Sequence, residues 1–413
     1  MKKIAALIIL VLLCVLSVNI SAEQSDLLDI TITNNECTEL NEGSTYDQET
    51  RTLTLAPGKY GNIFCDNDLT VKNKNGTVQI FQIKAEKVHG SAVLKIVNAN
   101  IKTDPDHVGS TIICNGDIEI TNSNVEVDYF IGTDSGKIDI SKSNVNIEGI
   151  DKMQGYIFAS GKISIKDSNV TADYNINTYN SMVIDNSTVK LPSKYSHGGY
   201  ITSPLGILIK NSNLDIFYYI SCDGGDFRAV NSNIKISLNR EDNKRRSNIE
   251  VGDGNIIITN CNILVDAYIK SNLGNITITN CAIDTGSVVT WTGTVKLDNV
   301  EGSINGAKSI NSESSTGIFG KKIVLKDTKL PEAHHVGTVT IGQDPYATVV
   351  LNSGDMAYGF KLKSNSSFPV IWIEIIAAVV IIAIAAVVFI VVRKKAQKSR
   401  IVNKKPLVFK EES

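Results

Sequence analysis

The segments DIEITNSNVEV (117–127), KIDISKSNVNI (137–147), KISIKDSNVTA (162–172), GILIKNSNLDI (206–216), NIIITNCNILV (255–265) and NITITNCAIDT (275–285) are variants of one phrase. Each holds a short run of alternating apolar and polar residues, a polar turn carrying Asn, Asp or Lys, and a second alternating run. A period of two marks a strand with one buried face, and it excludes helical repeats, whose apolar residues recur every 3.6 positions.

Working outward from these segments, the turn residue recurs as Asn73, Asn98, Asn122, Lys142, Asp167, Asn186, Asn211, Asn231, Asn260, Asn280, Asn299 and Asp327. The intervals are 25, 24, 20, 25, 19, 25, 20, 29, 20, 19 and 28 residues, with a mean near 23. Short strands repeating at this interval signal a solenoid. The leucine framework of leucine-rich repeats is missing, and a β-sandwich would carry no motif locked to one phase. In a coil that stacks each turn on the last, the same residue type recurs at the same corner. Asn suits such a corner because it tolerates left-handed backbone angles and its amide can bond the Asn above it.

Over roughly residues 50–355 this pattern resembles right-handed parallel β-helix proteins. The resemblance implies an all-β rod of about twelve coils, about 60 Å long at ~4.8 Å per coil. Residues 67–360 are assigned to the rod and 23–66 to an N-terminal cap, since an uncovered end would pair with another chain.

The ends of the chain suggest a compartment. Residues 1–22 place Lys2 and Lys3 before an apolar run and end on Ser21 and Ala22, the layout of a secretory signal peptide. Residues 370–392 form an apolar stretch broken only by Glu374, about 34 Å long as a helix and sufficient for one membrane span. A polar stalk (361–369) precedes it, and a basic tail (393–413) with eight Lys or Arg against two Glu follows it. This arrangement puts the bulk of the chain outside the plasma membrane and the tail inside, near anionic lipid. The net charge is −2, and the tail together with Lys2 and Lys3 leaves −10 for residues 4–392. An acidic body argues against nucleic acid as a partner.

Cys261 and Cys281 occupy one repeat position, TNCN and TNCA, where other coils carry Ser123, Ser143, Ser168, Ser212 and Ser232. On neighbouring coils their Cα atoms fall about 5 Å apart, within disulfide range; a column of small buried thiols is the competing reading. Cys37 and Cys65 are a candidate cap disulfide, whereas Cys114 and Cys222 lie several coils apart. Asn75, Asn169, Asn186, Asn275 and Asn365 begin N-glycosylation sequons.

Many β-helix proteins cut polysaccharides, so catalytic residues are the first question. Glycoside hydrolysis needs two carboxylates at fixed separation. The NTD, DD, GHG and RIK signatures of the polygalacturonase type are missing. Asp134, Asp151, Asp173, Asp223, Asp226 and Asp253 are scattered among turn positions as solvated caps. The histidines (89, 107, 197, 334, 335) show no metal-ligand spacing, and no cofactor motif is present. A fold by itself confers no activity.

Two features point to binding. Phe130, Tyr156, Tyr200, Tyr219 and Tyr268 each precede an Ile in the strand before the repeat phrase, so an inward Ile sends the ring outward. Asn175 and Asn248 interrupt that column. Outward rings can contact sugars or anchor a protein, or simply stack on one another. The second feature is the insertion NREDNKRRSN (239–248), where Lys244, Arg245 and Arg246 form a basic knuckle suited to an anionic glycan or acidic partner.

The expectation is a single-pass type I cell-surface protein whose rod serves adhesion or recognition of an extracellular glycan or a host-surface protein. In layout it resembles the β-helix surface proteins of parasitic single-celled eukaryotes. The alternatives are a membrane-tethered polysaccharide lyase or glycoside hydrolase, and a passive coat protein.

Overall fold

A computed structural model describes residues 27–104, 108–149, 154–193, 198–237, 247–304, 317–328, 335–341 and 344–350. The expected signal peptide, stalk, membrane segment and tail, together with Lys244, Arg245, Arg246 and Asn365, lie outside the described residues.

The described chain is all-β, with no helix among its elements. Its strands form three stacks that the chain visits in rotation, an arrangement that fits a parallel β-helix. Sheet B contains strands such as Asp117–Thr121, Ile138–Ser141 and Ile163–Lys166, which pair in parallel and in register. The Asn corner then leads to sheet C, which contains Asn124–Val127, Asn144–Ile147 and Asn169–Ala172. A second corner leads to sheet A, with Phe130–Thr133, Tyr156–Ala159 and Asn175–Thr178, and a third returns to sheet B.

Alternation decides what each strand buries. Ile112, Ile131, Ile157, Ile176, Ile201, Ile220, Ile249 and Ile269 sit in one column on the inner face of sheet A, each 0% exposed. Val125, Val145, Val170, Val189, Leu214, Ile234, Ile263 and Ile283 form the matching inner column of sheet C, each at most 1% exposed. A β-branched residue at every site of these two columns except Leu214 suits a strand and fills the coil without polar atoms. Truncating one such Ile to Ala should cost about 2–5 kcal/mol.

The Asn corner is left-handed throughout. Asn98, Asn122, Lys142, Asp167, Asn186, Asn211, Asn231, Asn260, Asn280, Asn299 and Asp327 all have φ between 48° and 54°. Their amides form a ladder: Asn122 donates to Asn98 Oδ1 at 2.7 Å, Asn260 to Asn231 at 3.1 Å, Asn280 to Asn260 at 3.2 Å and Asn299 to Asn280 at 2.9 Å. Asn73 is the exception to the expected set. It ends the strand Leu69–Asn73, its Nδ2 donates to Gly76 O, and its Oδ1 accepts the Asn100 N–H.

The column behind the corner is buried Ser. Ser123, Ser143, Ser168, Ser187 and Ser212 each donate to the carbonyl two residues back. Each Oγ also accepts the backbone N–H of the preceding coil, as in Ser123 N to Ser143 Oγ at 3.1 Å. Cys261 and Cys281 continue this column.

The intervals conceal a longer period. Coils alternate between a long connection from sheet C to sheet A (104–110, 148–155, 192–199, 237–247) and a short one (128–129, 173–174, 217–218), reduced to a register shift between Val265 and Tyr268 in the strand Asn262–Ser271. Asn98, Lys142, Asn186 and Asn231 are therefore 44, 44 and 45 residues apart, a unit of two coils.

Both ends close with antiparallel strands. Glu36–Cys37 covers Leu28–Thr33, and Thr45–Asp47 covers Thr52–Leu55. At the other end Asp344–Val350 pairs with Ile318–Gly320 and with His335–Ile341. Pairing of this kind removes open edges that would otherwise recruit another chain. Parallel stacking already begins inside the expected cap, where Ile30 pairs with Ile63 and Ile63 with Ile83.

Candidate functional site

The outward face of sheet A collects the aromatic residues. Thr111, Phe130, Tyr156, Asn175, Tyr200, Tyr219, Asn248 and Tyr268 form one register column, so the two Asn residues take ring positions as expected. A parallel outward column runs through Ile113, Gly132, Phe158, Asn177, Thr202, Ser221, Glu250 and Lys270.

The five rings point outward but are half-buried, and four of them cover one another in pairs. Phe130 and Tyr156 stack with centroids 5.2 Å apart and planes at 5°, and Tyr200 stacks on Tyr219 at 4.8 Å and 10°. Tyr129, Tyr174 and Tyr218, at the short corners, pack edge-on against Phe130, Tyr200 and Tyr219. A ring immediately before the column residue was the signal for this second layer, in Tyr129-Phe130, Tyr174-Asn175 and Tyr218-Tyr219. Asn175 Nδ2 donates to the Tyr200 hydroxyl at 2.8 Å, while its buried Oδ1 has no partner. What the face offers a ligand is therefore ring rims, phenol hydroxyls and neutral side chains. Tyr179, 61% exposed, is the most open ring among the described residues, and it packs edge-on against Phe158.

Toward the C-terminal end the character changes. Lys270 bonds Glu250 at 3.1 Å and lies 6.0 Å from the ring centroids of both Tyr268 and Trp291. The Tyr268 hydroxyl also reaches Glu250, at 3.2 Å.

No protein-family model matches the chain, and neither a curated protein nor a solved structure matches it.

The corner between sheets A and B carries a second motif, a hydroxyl followed three residues later by Gly. Thr133, Ser271 and Thr290 each accept the N–H of that Gly (Gly136, Gly274 and Gly293) and donate to the Gly carbonyl of the coil below. A side chain on these glycines would strike the backbone beneath: a Cβ on Gly254 would lie 2.1 Å from Gly225 O. The repeated Gly in TDSG, SNLG and TWTG was the available signal.

Asp173 is not the solvated cap that its turn position suggested. It is 1% exposed, and its carboxylate accepts the Gly149 and Gly155 N–H groups at 2.9 and 2.8 Å, holding both ends of the long connection beside it. Asp128, 3% exposed, accepts the adjacent Gly109 and Ser110 N–H groups and the Ser110 hydroxyl, at one end of another long connection. Backbone donors at both carboxylates give them a structural role. Asp226 remains at the surface, bonded to Arg228 and Asn255. Among the described residues no group of three or more His, Cys, Asp or Glu could hold a metal ion.

All six described cysteines are free thiols. Burial pushes Cys65 and Cys114 up to about 11 and Cys222 to about 12. Cys281 Sγ accepts the Cys261 N–H at 3.3 Å, which places the two sulfurs on adjacent coils. Cys37 and Cys65 pair with opposite sides of Ile32, two strand spacings or about 10 Å apart. Of the sequon residues, Asn75, Asn169, Asn186 and Asn275 are exposed.

Proposed function

We propose that the chain is a cell-surface recognition protein: a right-handed parallel β-helix held outside the cell by residues 370–392, presenting sheet A to a glycan or protein ligand. The observation that carries this reading is the outward aromatic column of sheet A, in register from Phe130 to Tyr268 and bordered by the exposed Tyr179. A rod built from two-coil units repeats its outward side chains at fixed spacing, which suits an extended partner. Contiguous aromatic surface of this kind marks contact sites more often than bare coat.

The test is attachment of cells displaying the full-length protein, compared with the variant carrying Tyr156→Ala and Tyr219→Ala. The reading expects attachment to fall at least tenfold while strand content is retained. Attachment that persists unchanged would identify a passive coat instead.

A further inference from the structure

The three outer faces differ in charge. On sheet B every coil from Asp117–Thr121 to Phe227–Val230 projects a charged side chain, among them Glu119, Asp139, Asp185 and Arg228. Several of these charges are paired, as in Lys95–Glu119 at 3.0 Å and Lys210–Asp185 at 2.8 Å. Sheet C is similar, with Lys102 near Glu126 and Lys235 near Asp215, each pair at 3.6 Å. Sheet A departs from this pattern. From the strand Thr111–Cys114 to the strand Tyr219–Cys222 no outward position carries a charge. The positions are filled by rings, amides and hydroxyls, with Ile113 and Gly132 at the N-terminal end, and the strip extends over five coil spacings, about 24 Å.

Resting on the recognition reading above, we infer that sheet A takes an uncharged glycan chain. A charged polymer laid on this strip would give up hydration without meeting a counter-charge, a cost that an interface recovers only by pairing. A neutral polyhydroxyl chain exchanges its water for groups that can both donate and accept, namely Asn177, Thr202, Ser221 and the phenols. Thr202 already donates to Asn177 Oδ1 at 2.6 Å, so two of these groups are preset.

A second observation agrees. Three of the four described sequons, at Asn75, Asn169 and Asn186, lie at the corner between sheets B and C, the one corner that does not border sheet A. Sugar attached there would leave the uncharged strip uncovered.

The experiment applies the full-length protein in detergent to an array of neutral oligosaccharides (glucan, mannan and galactan chains) beside sialylated and sulfated ones. Three variants accompany it: Ser221→Asp, Ser221→Lys and Thr202→Val, each checked for native strand content by circular dichroism. The inference expects binding to a neutral chain that is insensitive to roughly tenfold more salt. Both Ser221 variants should weaken it at least tenfold, and Thr202→Val severalfold. Binding confined to anionic chains, lost with salt and improved by Ser221→Lys, overturns the inference while leaving the recognition reading intact. So does the absence of any glycan binding where cell attachment still depends on Tyr156 and Tyr219. Neutral-chain binding that no sheet A variant alters overturns the assignment to this face, and with it the recognition reading.

Discussion

Tyr200 and Tyr219, at the same position of successive coils, lie face to face with centroids 4.8 Å apart and planes 10° from parallel. The separation is that of the coils themselves, so the rings stack because the backbone does. Aromatic pairs of this kind contribute about 0.5–1.5 kcal/mol beyond the area they bury. The column on sheet A is thus a stabilising element, and in the proposed function it is also the rim of the surface that a ligand would meet.

The stack gives a pH signature. Burial, then the neighbouring Tyr200 phenol, pushes Tyr219 above the ordinary tyrosine range; the same two causes raise Tyr174 to about 12. An acid whose folded pKa is raised holds its proton more tightly when folded. Its stabilising contribution is complete below the unfolded value of about 10 and is lost as pH rises through the folded one. Tyrosine absorbance at alkaline pH should show late-titrating phenols that ionise together with loss of the strand signal, and Tyr219→Phe should reduce that late fraction. Uniform titration near pH 10 with the strand signal intact would count against this picture.

Gly254→Ala should be among the most damaging single changes. The added methyl would meet Gly225 O, which is backbone and cannot swing aside. Overpacking of this kind costs about 1–3 kcal/mol, and here it also misaligns the coils above and below. Thermal unfolding followed by circular dichroism should register a clear drop. By contrast Gly90, which has open space where a Cβ would sit but a φ of +88°, should lose only the cost of its backbone angle.

Lys142→Asn should stabilise the rod. Lys142 is exposed with φ 50°, in a column of Asn and Asp, and it leaves Asn122 Oδ1 without a ladder donor. An L-residue lacking a short polar side chain pays about 1–2 kcal/mol in this conformation, part of which Asn recovers. The measurement is the denaturant midpoint, expected to rise by the equivalent of about 1 kcal/mol. A midpoint that falls would show that the lysine stem packs more usefully than an amide.

The corner residues were legible because each follows a single rule: a left-handed turn admits Asn or Asp, and stacking repeats it. From Asn98 to Asp327 every marked residue takes that conformation, including Lys142, which the surrounding phrase and the interval marked although its residue type did not. Asn73 satisfied the spacing but not the geometry, since its amide serves the turn at Gly76 instead. Averaging the intervals hid the alternation of long and short coils, although 24, 20, 25, 19, 25 and 20 already spelled it out. The outward direction of Phe130 and Tyr156 followed from period two. That their faces would be spent on each other did not, because ring orientation depends on neighbours one coil away. Asp173 was misread for a related reason: a turn position says nothing about the Gly149 and Gly155 N–H groups that draw a carboxylate inward.

Cys261 and Cys281 offer the last test. They are 5% and 3% exposed, in a column otherwise filled by Ser, and each thiol bonds the carbonyl two residues back as Ser does. Cys261→Ser and Cys281→Ser should therefore be nearly neutral, within about 0.5 kcal/mol, because the hydroxyl inherits a hydrogen bond already made by Ser232. Adjacent coils put the two Cα atoms about 5 Å apart, inside disulfide range. The hydrogen bond with Cys261, then burial, pushes the Cys281 thiol up, while the same contact lowers Cys261. The thiolate of one would attack a small disulfide reagent and expel one thiol. The other, losing its proton, would then displace the second thiol and close the cross-link, so that one disulfide is reduced for each one formed. Closing a loop of 20 residues adds about 3 kcal/mol. Burial makes the reaction slow in the folded rod and faster in mild denaturant, and peptide mapping with thiol counting should show Cys261 and Cys281 lost together. Loss of one thiol without the other, or cross-linking to Cys222 instead, would mean that the coils do not stack in the register described.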